Sequence, residues 1–139
     1  MLAEFSKIRS TRKRDFVKFI GWVSGAEKEK YLNECGILVL PSYYEGFPVS
    51  IIEAMLRRSA VVASCVGGIP DIIDDGIDGL LVPAKDTKAL RERLTKLIDD
   101  NDLAKELGIN GQKKVIENYS VEENIKRLME IYSKLSTTN

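Results

Sequence analysis

Pro41-Ser42-Tyr43-Tyr44-Glu45-Gly46-Phe47-Pro48-Val49-Ser50-Ile51-Ile52-Glu53-Ala54-Met55 joins the end of an apolar run, a turn and the start of an amphipathic helix. The run before it, Ile37-Leu38-Val39-Leu40, is apolar without alternation, the pattern of a short parallel strand buried on both faces. Pro41 cannot continue a central strand, so the strand is predicted to end at Leu40. Gly46 permits a tight turn. Pro48 has the fixed φ and missing N–H that suit the first helical position, and the helix is predicted to run to about Arg57. A strand, a turn and a helix N-terminus in this order aim unpaired backbone N–H groups and a positive dipole end at the space above the sheet.

Glu45 and Glu53 stand in an E-x7-E spacing, one in the loop and one roughly 7.5 Å into the helix. Two readings of this pair are open. Glu53 and Arg57 are spaced i, i+4 with the acid first, an ordinary surface pair contributing roughly 0.3–0.5 kcal/mol, and Glu45 is then a solvated loop residue. Alternatively, one ligand meets the backbone donors through a phosphate and the two carboxylates through hydroxyls, since an ionised carboxylate accepts from neighbouring hydroxyl donors. A sugar nucleotide carries both kinds of group.

Working outward, Val17-Lys18-Phe19-Ile20-Gly21-Trp22-Val23 reads as a strand, and Ser24 with Glu27 as a capping box opening a helix to about Cys35. After the central block, Ala60 to Cys65 reads as a strand ending at Gly67-Gly68. That diglycine is either plain turn chemistry or a second wall of a ligand crevice, because ligands of parallel sheets bind outside the carboxyl ends of the strands. Pro70 suits a helix start with Asp71 in its first turn. Asp74 to Gly79 reads as a tight turn into a strand at Leu80-Leu81-Val82, and Asp86 as the cap of a helix from Thr87 to Ile98 with Leu90, Leu94, Leu97 and Ile98 on one stripe. Residues 102–118 are predicted helical with an interruption near Gly108-Ile109-Asn110-Gly111. Ser120 and Glu123 form a capping box for a last helix whose apolar side is Ile125, Leu128, Met129, Tyr132 and Leu135. Residues 136–139 are expected to fray.

At 139 residues the chain is expected to be one domain, with 44% hydrophobic and 30% charged residues in ordinary globular proportion. Lys+Arg and Asp+Glu are 21 each, so no global field points to nucleic acid. Leu2, Phe5 and Ile8 at helical spacing are followed by Lys7, Arg9, Arg12, Lys13 and Arg14, which read as a solvated helix end, with contact to anionic lipid or nucleic acid as the other reading, though no aromatic interleaving supports a nucleic-acid platform. No apolar run is long enough to span a bilayer and no signal peptide is evident, so the expected location is the cytoplasm, peripheral at the inner membrane face if the basic cluster touches lipid. Cys35 and Cys65 lack C-x-x-C spacing and read as buried thiols. Asp100 and Asp102 form a D-x-D match but punctuate two helices, so no metal site is expected, and histidine, the commonest metal ligand, is absent.

The block Pro41 to Met55, the strand Val61-Val62-Ala63-Ser64 and the turn Gly67-Gly68-Ile69-Pro70-Asp71, in that order, resemble the signature of the GT-B retaining glycosyltransferases of family 4. The resemblance implies a Rossmann-like parallel sheet flanked by helices, the C-terminal, nucleotide-sugar-binding half of a GT-B fold lacking its first strands. It implies that Glu53 holds the donor ribose and that Glu45 lies beside the transferred sugar as the catalytic carboxylate. Ser42, Gly46, Phe47, Pro48, Val49, Gly67 and Gly68 are then donor-binding. The reaction implied is retaining transfer from a nucleotide sugar, with neither cofactor nor obligatory metal, and with an acceptor-binding domain or subunit as partner; a non-catalytic nucleotide-sugar-binding subunit and an interaction domain that kept the fold are the alternative readings. Three departures from the family pattern stand out. Asp71 replaces a glutamate, Arg58-Ser59-Ala60 replaces a Gly-x-Pro connection, and nothing matches the G-R motif and lysine that grip the diphosphate. Without the first strands, one sheet face is expected to be open unless the first or the C-terminal helices fold over it, and self-association is expected through that face or a strand edge.

Overall fold

The computed structural model describes residues 17–136, so the basic cluster at Lys7 to Arg14, the helix expected around it and the last three residues lie outside the described part. The chain divides into two units, Met1–Lys30 and Tyr31–Asn139. In the first, residues Val17 to Val23 carry no strand, contrary to the sequence reading; their side chains are mostly exposed, Trp22 at 93%. A strand exists only as one side of a hydrogen-bonded ladder, and apolar composition does not supply the other side. Helix α1 (Gly25–Glu34) opens where the capping box placed it.

The second unit is built on a three-stranded, wholly parallel sheet in the order β1 (Ile37–Leu40), β2 (Ala60–Ser64), β3 (Leu80–Val82). Ile37 pairs with Ala60 and Leu40 with Ala63, while Val62 pairs with Leu80 and Ser64 with Val82. All five β2 residues are buried, as a central strand requires. Successive side chains of β2 enter different cores. Val61 and Ala63 join Ile51, Ala54 and Met55 of α2 (Val49–Leu56) with Ile69, Ile72 and Ile73. Ala60 and Val62 join Leu97 of α3 (Thr87–Asp99) and Ala104 and Leu107 of α4 (Asn101–Tyr119). The period-two alternation of a strand thus divides the apolar set between two helical layers. The second face of β2 is covered by C-terminal helices, one of the two outcomes the sequence left open.

Local signals place the elements. The Asp86 carboxylate accepts from the Ala89 N–H at 2.9 Å and starts α3, and Asp100 does the same for Leu103 at 2.9 Å and starts α4. The D-x-D residues therefore serve as punctuation, Asp102 pairing with Lys105 at 3.4 Å. Ser120 Oγ accepts from the Glu123 N–H at 3.2 Å at the head of α5 (Val121–Ser136). Helix α4 runs without the expected interruption. A Cβ at Gly108 would overlap the Arg58 carbonyl oxygen, and one at Gly111 would stand 3.2 Å from the Asp78 carbonyl oxygen. The two glycines let α4 approach neighbouring backbone, and that tertiary contact overrides their low helix propensity. Ile98, assigned to a buried stripe by periodicity, is exposed, as are Leu56 at the end of α2 and Ile125, Leu128, Met129 and Tyr132 of α5. Cys65, expected buried, is exposed because it falls one residue beyond β2, in the turn; Cys35 is half-buried.

Candidate functional site

The carboxyl ends of β1 and β2 release the two loops that the sequence singled out, and the structure packs one on the other. Gly68 N donates to the Gly46 carbonyl at 3.1 Å. A Cβ on Gly67 would overlap the Glu45 carbonyl oxygen, and one on Gly68 would overlap that of Gly46. Gly67 also has φ +53°, a left-handed conformation that side chains disfavour. The diglycine is more than turn chemistry: it lets the backbone after β2 lie against the backbone that carries Glu45.

Within the first loop, Ser42 Oγ donates to Glu45 Oε1 at 2.6 Å, which fixes the carboxylate in the loop. The second Glu45 oxygen keeps acceptor capacity. Pro48 is buried and sits one position earlier than predicted, as the N-cap of α2, with φ −78° and ψ 94°. The Ile51 N–H donates to its carbonyl at 3.0 Å. The N–H groups of Val49 and Ser50, in the first turn, have no intrahelical acceptor by geometry. Glu53 is the fifth residue of α2 and half-buried. Arg57, read as its surface partner, sends Nη1 to the Glu53 backbone carbonyl at 2.8 Å and Nε to Asn33 Oδ1 at 2.9 Å, tying the end of α2 to α1.

Phe47 and Val49 are exposed, and so are Tyr43 and Tyr44, which gives this edge an aromatic surface. Phe47 leans on Tyr119 of α4 with ring centroids 5.9 Å apart at 49°, and Tyr119 Oη donates to the Asp71 carbonyl at 3.2 Å. Tyr119 thus braces both loops from below, a role the sequence reading missed; its place at the last position of α4 gave no signal. Asp71 itself is exposed, at the end of the 3-10 turn Ile69–Asp71.

The connection leaving α2 explains another departure in the sequence. Arg58 has φ +61°, with Arg58 N–H on the Met55 carbonyl at 2.9 Å and Ser59 N–H on the Ala54 carbonyl at 3.1 Å. This is a Schellman ending with arginine in the left-handed position that usually holds glycine. Behind the site, Lys114 Nζ bridges Asp74 at 2.7 Å and Asp78 at 2.9 Å, and Asp78 is 3% exposed. Burial acts to lower the Lys114 pKa, but the hydrogen bonds and charges of Asp74 and Asp78 outweigh it and raise the value above 10.5. The pair locks the 74–79 turn that feeds β3. Among the described residues no cluster of three or more Cys, Asp or Glu side chains is disposed to hold a metal, and no helix is long and apolar enough to cross a membrane.

Comparison with known proteins matches residues 4–114 to the family model described as glycosyl transferases group 1. An alpha-maltose-1-phosphate synthase of Mycolicibacterium smegmatis is 41% identical over 111 residues, 76% of this chain and 29% of that protein. Among solved structures, sucrose-phosphate synthase from Thermosynechococcus elongatus superposes with TM-score 0.79 at 30% identity, over 99% of this chain and 35% of that one. Anabaena HepE in complex with UDP superposes with TM-score 0.85 at 24% identity, over 96% of this chain and 36% of that one, a likeness of fold. The chain spans about a third of the length of these proteins.

Proposed function

Since the chain belongs to the glycosyl transferases of group 1 and has the C-terminal half of a GT-B fold, we propose that it binds a nucleotide-sugar donor for retaining glycosyl transfer, at the crevice formed by the 41–49 and 66–71 loops. The observation that carries this reading is the backbone contact of Gly67 and Gly68 on Glu45 and Gly46, which makes one rigid wall out of two loops. It stands at the strand ends where α/β sheets bind ligands. HepE, of like fold, is a protein solved with UDP, which supports the same ligand class.

In this reading Glu53 accepts from the ribose hydroxyls. Glu45, held by Ser42, stands beside the transferred sugar, and the backbone of Gly46, Phe47, Pro48 and Val49 contacts that sugar. The first-turn N–H groups of α2 offer fixed donors to negative charge developing on the leaving diphosphate, without reorganisation. Positioning supplies the remainder of the catalysis, and no metal is needed. Acceptor recognition and closure over the donor are assigned to a partner domain or subunit. A second reading is donor binding by these 139 residues without turnover, the rest of the catalytic machinery being supplied by that partner.

Calorimetric titration with UDP, GDP and their sugars tests both. Binding that Glu53→Ala abolishes is expected; no heat at millimolar ligand would overturn the donor site, and turnover by the chain alone would overturn the second reading. Self-association is assigned to the edge of β1, which pairs with no second strand among the described residues, and a concentration-independent monomer by light scattering removes it.

A further inference from the structure

We infer that a cavity at the same sheet edge, beside the donor crevice on the β3 side, is a subsite for a single neutral saccharide ring. It has a volume of about 230 Å³ and lies over the carboxyl ends of all three strands, between Pro41, Ser64 and Pro83, with Tyr43, Lys85 and Asp86 at its mouth. That volume is below the roughly 300–1,000 Å³ of sites for larger ligands and matches one ring.

The lining decides the chemistry. A pyranose has a C–H face that packs on flat apolar surface and a rim of hydroxyls that need both donors and acceptors. Pro41, Pro83 and the exposed Tyr43 ring supply the surface. Ser64, at the carboxyl end of β2, is 2% exposed and lines the cavity floor with a hydroxyl. A serine hydroxyl both donates and accepts, so it can meet a sugar hydroxyl in either sense. Asp86 spends Oδ1 on the Ala89 N–H at 2.9 Å and keeps Oδ2 as an acceptor. Lys85 adds a donor, with its ammonium 5.6 Å from the centre of the Tyr43 ring. It holds a left-handed backbone with φ +68°, a strained state of the kind concentrated at ligand sites. The opposite charges of Lys85 and Asp86 leave the lining with no net charge, which favours a polyol over a phosphate.

This subsite goes beyond the donor reading: it shares Pro41 and Tyr43 with the 41–49 loop, but Glu53, Gly67 and Gly68 take no part in it. Amide NMR of the whole 139-residue chain tests it, with methyl α-glucopyranoside, methyl β-galactopyranoside and N-acetylglucosamine as probes and inorganic phosphate alongside. The expected result is saturable shifts at Ser64, Lys85 and Thr87 with at least one sugar and none with phosphate. Tyr43→Ala and Ser64→Ala should each weaken binding about fivefold or more. Tyr43 is a loop residue in solvent, so its variant keeps the fold even if the Ser64 variant does not. The inference is overturned if no sugar moves these amides at its solubility limit, if phosphate saturates them instead, or if the Tyr43 variant binds as the wild type does. A UDP titration of the same sample is read at the amides around Glu53, so the donor reading stands or fails separately.

Discussion

Replacing Gly67 by alanine should be among the more damaging single changes near the site, and two separable costs make it so. The first is conformational: at φ +53° a Cβ costs about 1–2 kcal/mol. The second is steric, because the added carbon overlaps the Glu45 carbonyl oxygen, backbone that cannot swing aside as a side-chain tip does. Overpacking of that kind costs about 1–3 kcal/mol. The sum is about 2–5 kcal/mol, which at a central value of about 3 lowers the Tm of a chain this size by on the order of 10 °C. Gly76 supplies the control. It has φ +79° and nothing within 4 Å of the point where a Cβ would stand, so Gly76→Ala carries the conformational cost alone. Urea melts of both variants therefore isolate the loop-to-loop contact as a difference of about 1–3 kcal/mol. Donor titration of Gly67→Ala should show weakened binding as well, since relief of the overlap moves Glu45. If Gly67→Ala costs no more than Gly76→Ala, the two loops are not in rigid contact and the reasoning about a single wall fails.

Arg58→Gly should be more stable than Arg58→Ala by about 1 kcal/mol in urea melts, because both lose the Nε bond to Gln112 Oε1 but only glycine relieves the left-handed strain at φ +61°. On α4, Gly108→Ala should lose about 1–2 kcal/mol: a helix gains up to about 1 from the substitution, and overlap with the Arg58 carbonyl outweighs it. Gly111→Ala, with its nearest contacts at 3.2 Å, should come out near neutral; equal losses at the two positions would contradict the packing described. Lys114→Met should cost about 2 kcal/mol, below the range for fully buried pairs because the lysine side chain is 20% exposed. The Lys114 pKa is raised in the folded state, so its contribution is complete below the unfolded value of 10.5 and fades as pH rises through the higher folded value. Melts of wild type and variant should converge above that point, and a gap that stays constant across it would refute the assignment.

The parts of this fold legible in the sequence are those with local causes. Asp86, Asp100 and Ser120 announce helix starts because a side-chain oxygen satisfies an N–H three residues on, and each does so here. The β1 and β2 strands were legible from unbroken apolar runs ended by Pro41 and by the turn after Ser64. What required three dimensions escaped. Val17 to Val23 has strand composition and no strand, and α4 tolerates two glycines because other backbone comes close to them. At the site, the E-x7-E spacing and the diglycine were visible as motifs, whereas the contact that unites them was not. Nor was the cavity under Tyr43, since nothing in a lysine's identity signals the positive φ of Lys85.

The abutment of Gly67 and Gly68 on Glu45 and Gly46 also sets a rule for chimaeras. A graft that imports another relative's 41–55 block to alter sugar preference must import its 66–71 segment too, because each backbone is the mould in which the other sets. Exchanged singly, either piece meets a partner cut to a different shape. Taken together they form the smallest cassette that can be moved.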